Sequence, residues 1–208
     1  MTEEEIRAMF TRTGGEYVFA RWGRPISPVV FGVEEETLSV VKGAFEAVVA
    51  LAGHQIDEVD PELGSNCMMF FFREWEELLD VPDLDRLVPD LAGLVARLKE
   101  AGASQYRAFR FDQGGAIQAA FVFLRMHAEM ADQPAEVLAL GQVVQIMLAW
   151  SDAAFQERSP LAVAGGATIL RPEIAELIRA AYDPVMPVTA KDNSHSLRLL
   201  ARMNIKES

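Results

Sequence analysis

The sequence predicts an α+β domain on three observations. Segments rich in β-formers crowd into the stretch from Tyr17 to Leu124, helical periodicity takes over after Pro134, and no repeat, low-complexity tract or linker divides the chain. At 208 residues, half of them hydrophobic and 24% charged, the chain fits one domain with a sizeable core. The expected architecture is a mixed sheet of four or five strands packed on a long central helix, with a helical C-terminal part. Residues 1–15 are expected to form an N-terminal arm ahead of a domain over 16–208.

The elements follow in order. Residues 1–15 open acidic and close on Thr13-Gly14-Gly15, a short helix or frayed arm and then a turn. Tyr17–Trp22 is an extended lead-in and Ile26–Phe31 a first strand, flanking Gly23-Arg24-Pro25 and closed by Gly32. From Thr37 to Ala52, Leu38, Val41, Phe45, Val48, Val49 and Ala52 recur at helical spacing, with Gly53 at the C-cap. Ile56–Val59 and Asn66–Phe72 are expected as strands joined by the turn Asp60-Pro-Glu-Leu-Gly-Ser65, the second apolar throughout and central. Glu74–Asp90 carries seven acidic residues and one basic one, Arg86, and fits a solvated helical connector. A helix then starts at Pro89-Asp90 and ends at Gly102. Gln105–Phe111 and Ala116–Leu124 form a hairpin around Asp112-Gln-Gly-Gly115. Asp132-Gln-Pro134 opens the long helix Ala135–Trp150, and two more helices are expected at Pro172–Tyr182 and Ser194–Met203.

Charge and ligand content exclude several function classes. Against 19 Lys and Arg stand 31 Asp and Glu, a formal net charge of −12, so nucleic acid is not an expected partner. One Cys and three His supply too few soft ligands for a zinc finger, an iron–sulfur site or a disulfide framework. Cys67 lies in an apolar run where a thiol serves as a small hydrophobe. His54, His127 and His195 are far apart in sequence, and His127-Ala-Glu129 with Asp132 is a weak ligand pattern, so neither metal nor cofactor is expected. Gly114-Gly115 and Gly165-Gly166 lack the spacing and Lys of phosphate loops and are read as turns. No Gly-x-Ser-x-Gly elbow marks Ser159 or Ser194 as a nucleophile. Val137–Ser151 is shorter than the roughly 18 apolar residues of a membrane span and is broken by two glutamines. Without a basic and apolar leader, a cytoplasmic location is expected, the alternative being the cell envelope if a leader has been removed.

The most informative segment is the long helix. Gln142 and Gln145, three residues apart, share a face with Leu138 and Ala149 and are the only strongly polar side chains over Ala139–Trp150. On composition alone, such a helix crosses the domain centre and turns one amide stripe to water.

Arg21-Trp22 and Pro25-Ile26, the Asn66–Phe71 strand, Gly115-Ala-Ile117, the helix end Gln145–Asp152 and the closing Leu170–Asp183 segment together resemble a bacterial family, domain of unknown function 2927, over most of residues 17–203. The family's helix carries Glu, then Gln three residues later, then a stretch leading to Asn-Asp, and is similar to the zinc-binding helix of zincin metalloproteases with altered ligands. The resemblance implies a zincin-like layout of strand, helix, two strands, helices, hairpin, long helix and helical tail. It places Gln142 where a zincin has its catalytic Glu, and Gly141 and Gln145 where it has two histidines. Such a site needs two imidazoles one helical turn apart and a carboxylate base. Glycine offers no ligand, an amide is a poor one, and Gln142 cannot take a proton.

Three functions follow as expectations. The leading one is a non-catalytic zincin-like domain that keeps the cleft as a surface for a peptide or protein, with Arg21, Trp22, Trp150 and Asp152 as candidate cleft or binding residues. The second is a hydrolase with another residue set, such as Asp152, Glu129 and His127. The third is a structural or oligomeric module, which would show an extended apolar patch.

Overall fold

The computed structural model describes residues 1–204, apart from the side chain of Glu129; the last four residues of the expected domain, 205–208, lie outside the described residues. In chain order, α1 (Glu3–Ala8) and β1 (Phe19–Ala20) precede β2 (Pro28–Phe31) and α2 (Glu35–Leu51). After β3 (Cys67–Phe72) come a 3-10 turn over Trp75–Asp80, then α3 (Leu84–Leu87) and α4 (Leu91–Glu100). The hairpin β4 (Gln105–Phe111) and β5 (Ile117–Arg125) leads into α5 (Ala135–Met147). A small hairpin of β6 (Leu161–Ala164) and β7 (Ala167–Leu170), α6 (Pro172–Tyr182), β8 (Thr189–Ala190) and α7 (Ser194–Met203) complete the fold. This is an α+β architecture.

Its centre is a mixed four-stranded sheet in the order β2, β3, β5, β4, in which β2, β3 and β5 run parallel and β4 runs antiparallel at the edge. The β3 run is apolar without alternation because both of its faces are covered. Cys67, Met69 and Phe71 join a core shared with α2, α5 and α6, whereas Phe70 and Phe72 join a second core with Trp75, Leu78, Leu91 and Leu94. The sheet is therefore packed on both faces, more than the single central helix led us to expect. The Cys67 thiol is completely buried, and desolvation pushes its pKa up, away from the thiolate that redox or nucleophilic chemistry needs.

The strand expected at Ile56–Val59 shrinks to one parallel bridge, Ile26 to Ile56. Asp57 and Glu58 are exposed, and the chain turns away into a loop clamped by buried polar groups. Asp60 Oδ1 accepts the Glu62 and Leu63 amides at 2.8 Å each, and its Oδ2 accepts from Asn66 Nδ2 at 2.9 Å and from Arg24 at 3.4 Å. Asn66 also donates to the Pro25 carbonyl and accepts the Ser27 amide, both at 2.8 Å. Burial opposes the charge on Asp60, but these donors outweigh it and hold the carboxyl below its ordinary range. Asn66 is 1% exposed, so Asn66→Leu leaves a buried carboxylate, an amide and a carbonyl each short of a partner. The expected loss is about 3 kcal/mol in chemical denaturation.

The N-terminal residues are not a separate arm. Thr2 and Glu5 close a capping box on α1, and Ile6 and Phe10 are fully buried in the main core. Ile6 on this short helix needs a partner surface, and α7 packs against the helix, while Phe10 beyond its end meets Tyr17, Phe19 and Trp150. Beside this contact, His195 Nδ1 meets the Tyr17 hydroxyl at 2.8 Å while His195 Nε2 is buried without a partner among the described residues. Burial first, and Arg198 second, lower the imidazole pKa to about 4. Because the folded value lies below the ordinary value of about 6.5, the neutral ring's contribution is complete above that pH and is lost as pH falls toward the folded pKa. Denaturation at pH 5 is expected to show about 2 kcal/mol less stability than at pH 7.5 from this group, a difference that His195→Gln removes.

The β6–β7 hairpin was not expected from the sequence, which marked only the turn Gly165-Gly166. Both glycines have positive φ, +59° and +83°, as a tight two-residue hairpin turn requires. The flanking strands have four residues each, too few for an alternation pattern to register.

Candidate functional site

α5 is built to be buried. Leu138, Ala139, Val143, Val144, Ile146 and Met147 are all in the core, and α2 packs along it. A helix end enclosed in this way cannot pass its last carbonyls to water and must find other donors. Three aromatic side chains supply them. Trp150 Nε1 donates to the Val144 carbonyl at 3.1 Å, Trp22 Nε1 to Ile146 at 2.8 Å, and the Tyr182 hydroxyl to Met147 at 2.7 Å. The helix stops at Met147, three residues short of the expected Trp150, because the chain there switches to strand pairing. Leu148 bridges Arg21, and the Ala149 amide donates to Ala20 at 2.9 Å. Arg12 then binds the Ala149 and Trp150 carbonyls at 3.1 and 2.6 Å.

The two glutamines do not form a stripe facing water. Gln142 is 4% exposed and held from two sides. Arg107 Nη2 donates to its Oε1 at 2.9 Å, and its Nε2 donates to Gln105 Oε1 at 2.9 Å. Gln145, half-buried, spends its amide on the Gly141 carbonyl one turn back, at 3.2 Å. Gly141, Gln142 and Gln145 line a pocket of about 150 Å³ with Gln105 from β4, Gln133 from the loop before α5, and Leu161 from β6. A methyl group added at Gly141 would touch Leu161 Cδ1 at 3.7 Å, an ordinary contact, so crowding by its neighbours does not forbid a side chain there.

β4 forms the wall opposite α5. The Arg125 amide donates to Ser104, which places Ser104, Tyr106 and Ala108 in the hydrogen-bonded pairs with β5. The backbone groups of Gln105, Arg107 and Phe109 therefore point outward from the sheet edge, and among the described residues none of them has another backbone partner. Their side chains share the face turned to α5. The edge and the pocket meet at Gln105.

No family model, curated protein or solved structure matches the chain.

The other sequence candidates have definite places. Trp22 is completely buried and Trp150 nearly so, stacked on Phe10 at 5.3 Å, so both are core residues that cap α5 and offer no open binding surface. Arg21 lies over the Tyr182 ring at 5.2 Å; burial lowers its pKa, and Tyr182 opposes the shift. Asp152 is exposed in the loop after α5, and His127 is exposed beyond β5; neither lines the pocket. The side chain of Glu129 lies outside the described residues. His54 Nε2 meets the Arg24 carbonyl at 2.9 Å, and His195 faces Tyr17. Among the described residues, no three His, Cys, Asp or Glu side chains gather closely enough to hold a metal ion. No described helix is long and apolar enough to cross a membrane.

Gln105 and Arg107 were missed as site residues. The one available signal was alternation: Gln105, Arg107 and Phe109 share a strand face, and Phe109 marks that face as inward.

Proposed function

We propose that this protein is a non-catalytic, zincin-like domain that binds an extended peptide segment between the edge of β4 and the pocket beside α5. The observation that carries the reading is the setting of Gln142: the position aligned with a zincin base is a buried amide, tied to Arg107 and Gln105 and facing a pocket next to an unpaired strand edge. The order of elements supports it, with a strand, a helix, a one-residue bridge and a strand, helical turns, a hairpin and then α5 before the helical tail. An unpaired edge offers alternating donors and acceptors to a peptide backbone, and neighbouring pockets select among its side chains. At about 150 Å³ the pocket is below the range of roughly 300–1,000 Å³ for whole small-molecule ligands and suits one side chain or chain terminus.

Gly141, Gln142 and Gln145 provide neither two imidazoles nor a carboxylate, so the reading predicts no zinc on this helix. Protein incubated with zinc and desalted is expected to retain less than stoichiometric metal by elemental analysis. One zinc per chain, lost on Gln145→Ala, would overturn the assignment.

A further inference from the structure

Arg107 is a cation without a counter-ion among the described residues. It sits on β4 between Gln105 and Phe109, half-buried, with its Nε closed off from solvent and, among the described residues, without a hydrogen-bond partner. Among the described residues no carboxylate lies within 4.0 Å of it, although ten ion pairs form elsewhere among them. Its nearest acceptor is the neutral Oε1 of Gln142, and Gln142 in turn lines the pocket. Burial lowers the guanidinium pKa only to about 10, so the charge is present at neutral pH. With 31 acidic residues in the chain, an Arg left facing an amide is not explained by a shortage of carboxylates. Arg107 itself does not line the pocket but stands behind Gln142, and the wall is neutral: Gln105, Gln133, Gln142 and Gln145 bring four amides to it, and no Asp or Glu lines it.

Resting on the peptide-binding reading, we propose that this pocket receives a carboxylate of the bound peptide, which takes the place of Gln142 Oε1 as the acceptor for Arg107. A carboxylate supplies the counter-charge that the amide lacks and can accept two parallel N–H bonds from the guanidinium fork. Gln142, released from Arg107, turns its NH2 group to the same carboxylate, and Gln105, which is exposed, can follow. The net charge of −12 repels anionic ligands at long range, so selection here is local and association is slow at low ionic strength. The carboxylate has two sources, the peptide's C terminus or an acidic side chain.

Three libraries of N-acetylated hexapeptides, randomised over neutral residues, separate the possibilities. One ends in a free carboxylate, one in a carboxamide, and one in a carboxamide with a single internal Glu. Binding to the full chain is followed by the NMR resonance of the Arg107 side-chain Nε–H and by backbone amide shifts along β4. The free-carboxylate or the Glu library is expected to bind at least about tenfold more tightly than the carboxamide library, the stronger of the two naming the source. Arg107→Met should erase the difference. Gln142→Glu, which puts a resident carboxylate on Arg107 and keeps the fold, should erase it too. If all three libraries bind equally and neither variant matters, the carboxylate inference fails while peptide binding stands. If none binds, both fail.

Discussion

Replacing Gln142 with glutamate is expected to stabilise the protein by about 1–2 kcal/mol, and replacing it with leucine to destabilise it by about 2–3 kcal/mol, in equilibrium chemical denaturation. Opposite signs at one buried position follow from Arg107. In the native chain the desolvation of that guanidinium is already incurred, and its only side-chain acceptor among the described residues is an amide oxygen at 2.9 Å. A carboxylate at residue 142 incurs a burial cost of several kcal/mol. Its attraction to Arg107 is about 4 kcal/mol at a 4 Å separation and an effective dielectric of 20, with a charge-assisted hydrogen bond in addition. The balance is favourable only because the cation is already in place; a new pair built into an apolar site would not gain. Gln105, being exposed, can reverse its amide to donate to the new carboxylate, so no donor is stranded. Leucine fills similar space but removes the acceptor, leaving Arg107 with no hydrogen bond among the described residues. The glutamate's gain depends on pH with a definite sign. Arg107 depresses its pKa in the folded state, so the gain is complete above the ordinary value of about 4.3 and disappears as the pH falls below it.

Trp22→Ala is expected to cost about 4–5 kcal/mol, the largest single effect among the sequence-derived candidates, while Trp22→Phe costs only about 1–2 kcal/mol. The indole is completely buried, so truncation to alanine opens a cavity in the main core. It also leaves the Ile146 carbonyl, one of the four unpaired at the end of α5, without its donor. Phenylalanine refills most of the cavity and forfeits only the hydrogen bond. The segment around Trp22 is held on both sides, to Leu148 through Arg21 and to Ile117 through Trp22 itself, so the loss spreads to the start of β5 and the end of α5. Were Trp22 a ligand contact, the alanine variant would keep its stability and lose only binding.

The contrast between these two residues explains how much the sequence revealed. α2, α4, α6 and α7, the hairpin β4–β5 and the fully apolar β3 were legible because local periodicity and turn chemistry agree with the final packing. The strand at Ile56 and the end of α5 were not, because tertiary contacts decide them. The Asp60–Asn66 clamp pulls one chain away, and pairing with Arg21 stops the other. Arg21-Trp22 and Trp150-Ser-Asp152 stood out as motifs that could mark a cleft, yet an aromatic donor capping a buried helix looks the same in a sequence as one offered to a ligand. Gly141, Gln142 and Gln145 were singled out through the resemblance to a zinc-binding helix, and all three line one pocket. Arg107 and Gln105 lie more than thirty residues earlier, and nothing local in β4 announces that its inward Arg faces an amide.

The proposed peptide site is tested most directly by titrating the full 15N-labelled chain with randomised N-acetylated hexapeptides bearing a free C terminus and mapping the shifts. The account predicts saturable changes at the outward backbone amides of Gln105, Arg107 and Phe109 and at the side-chain amides of Gln142 and Gln145. Saturable changes confined to other surfaces, with β4 and α5 silent, would contradict it.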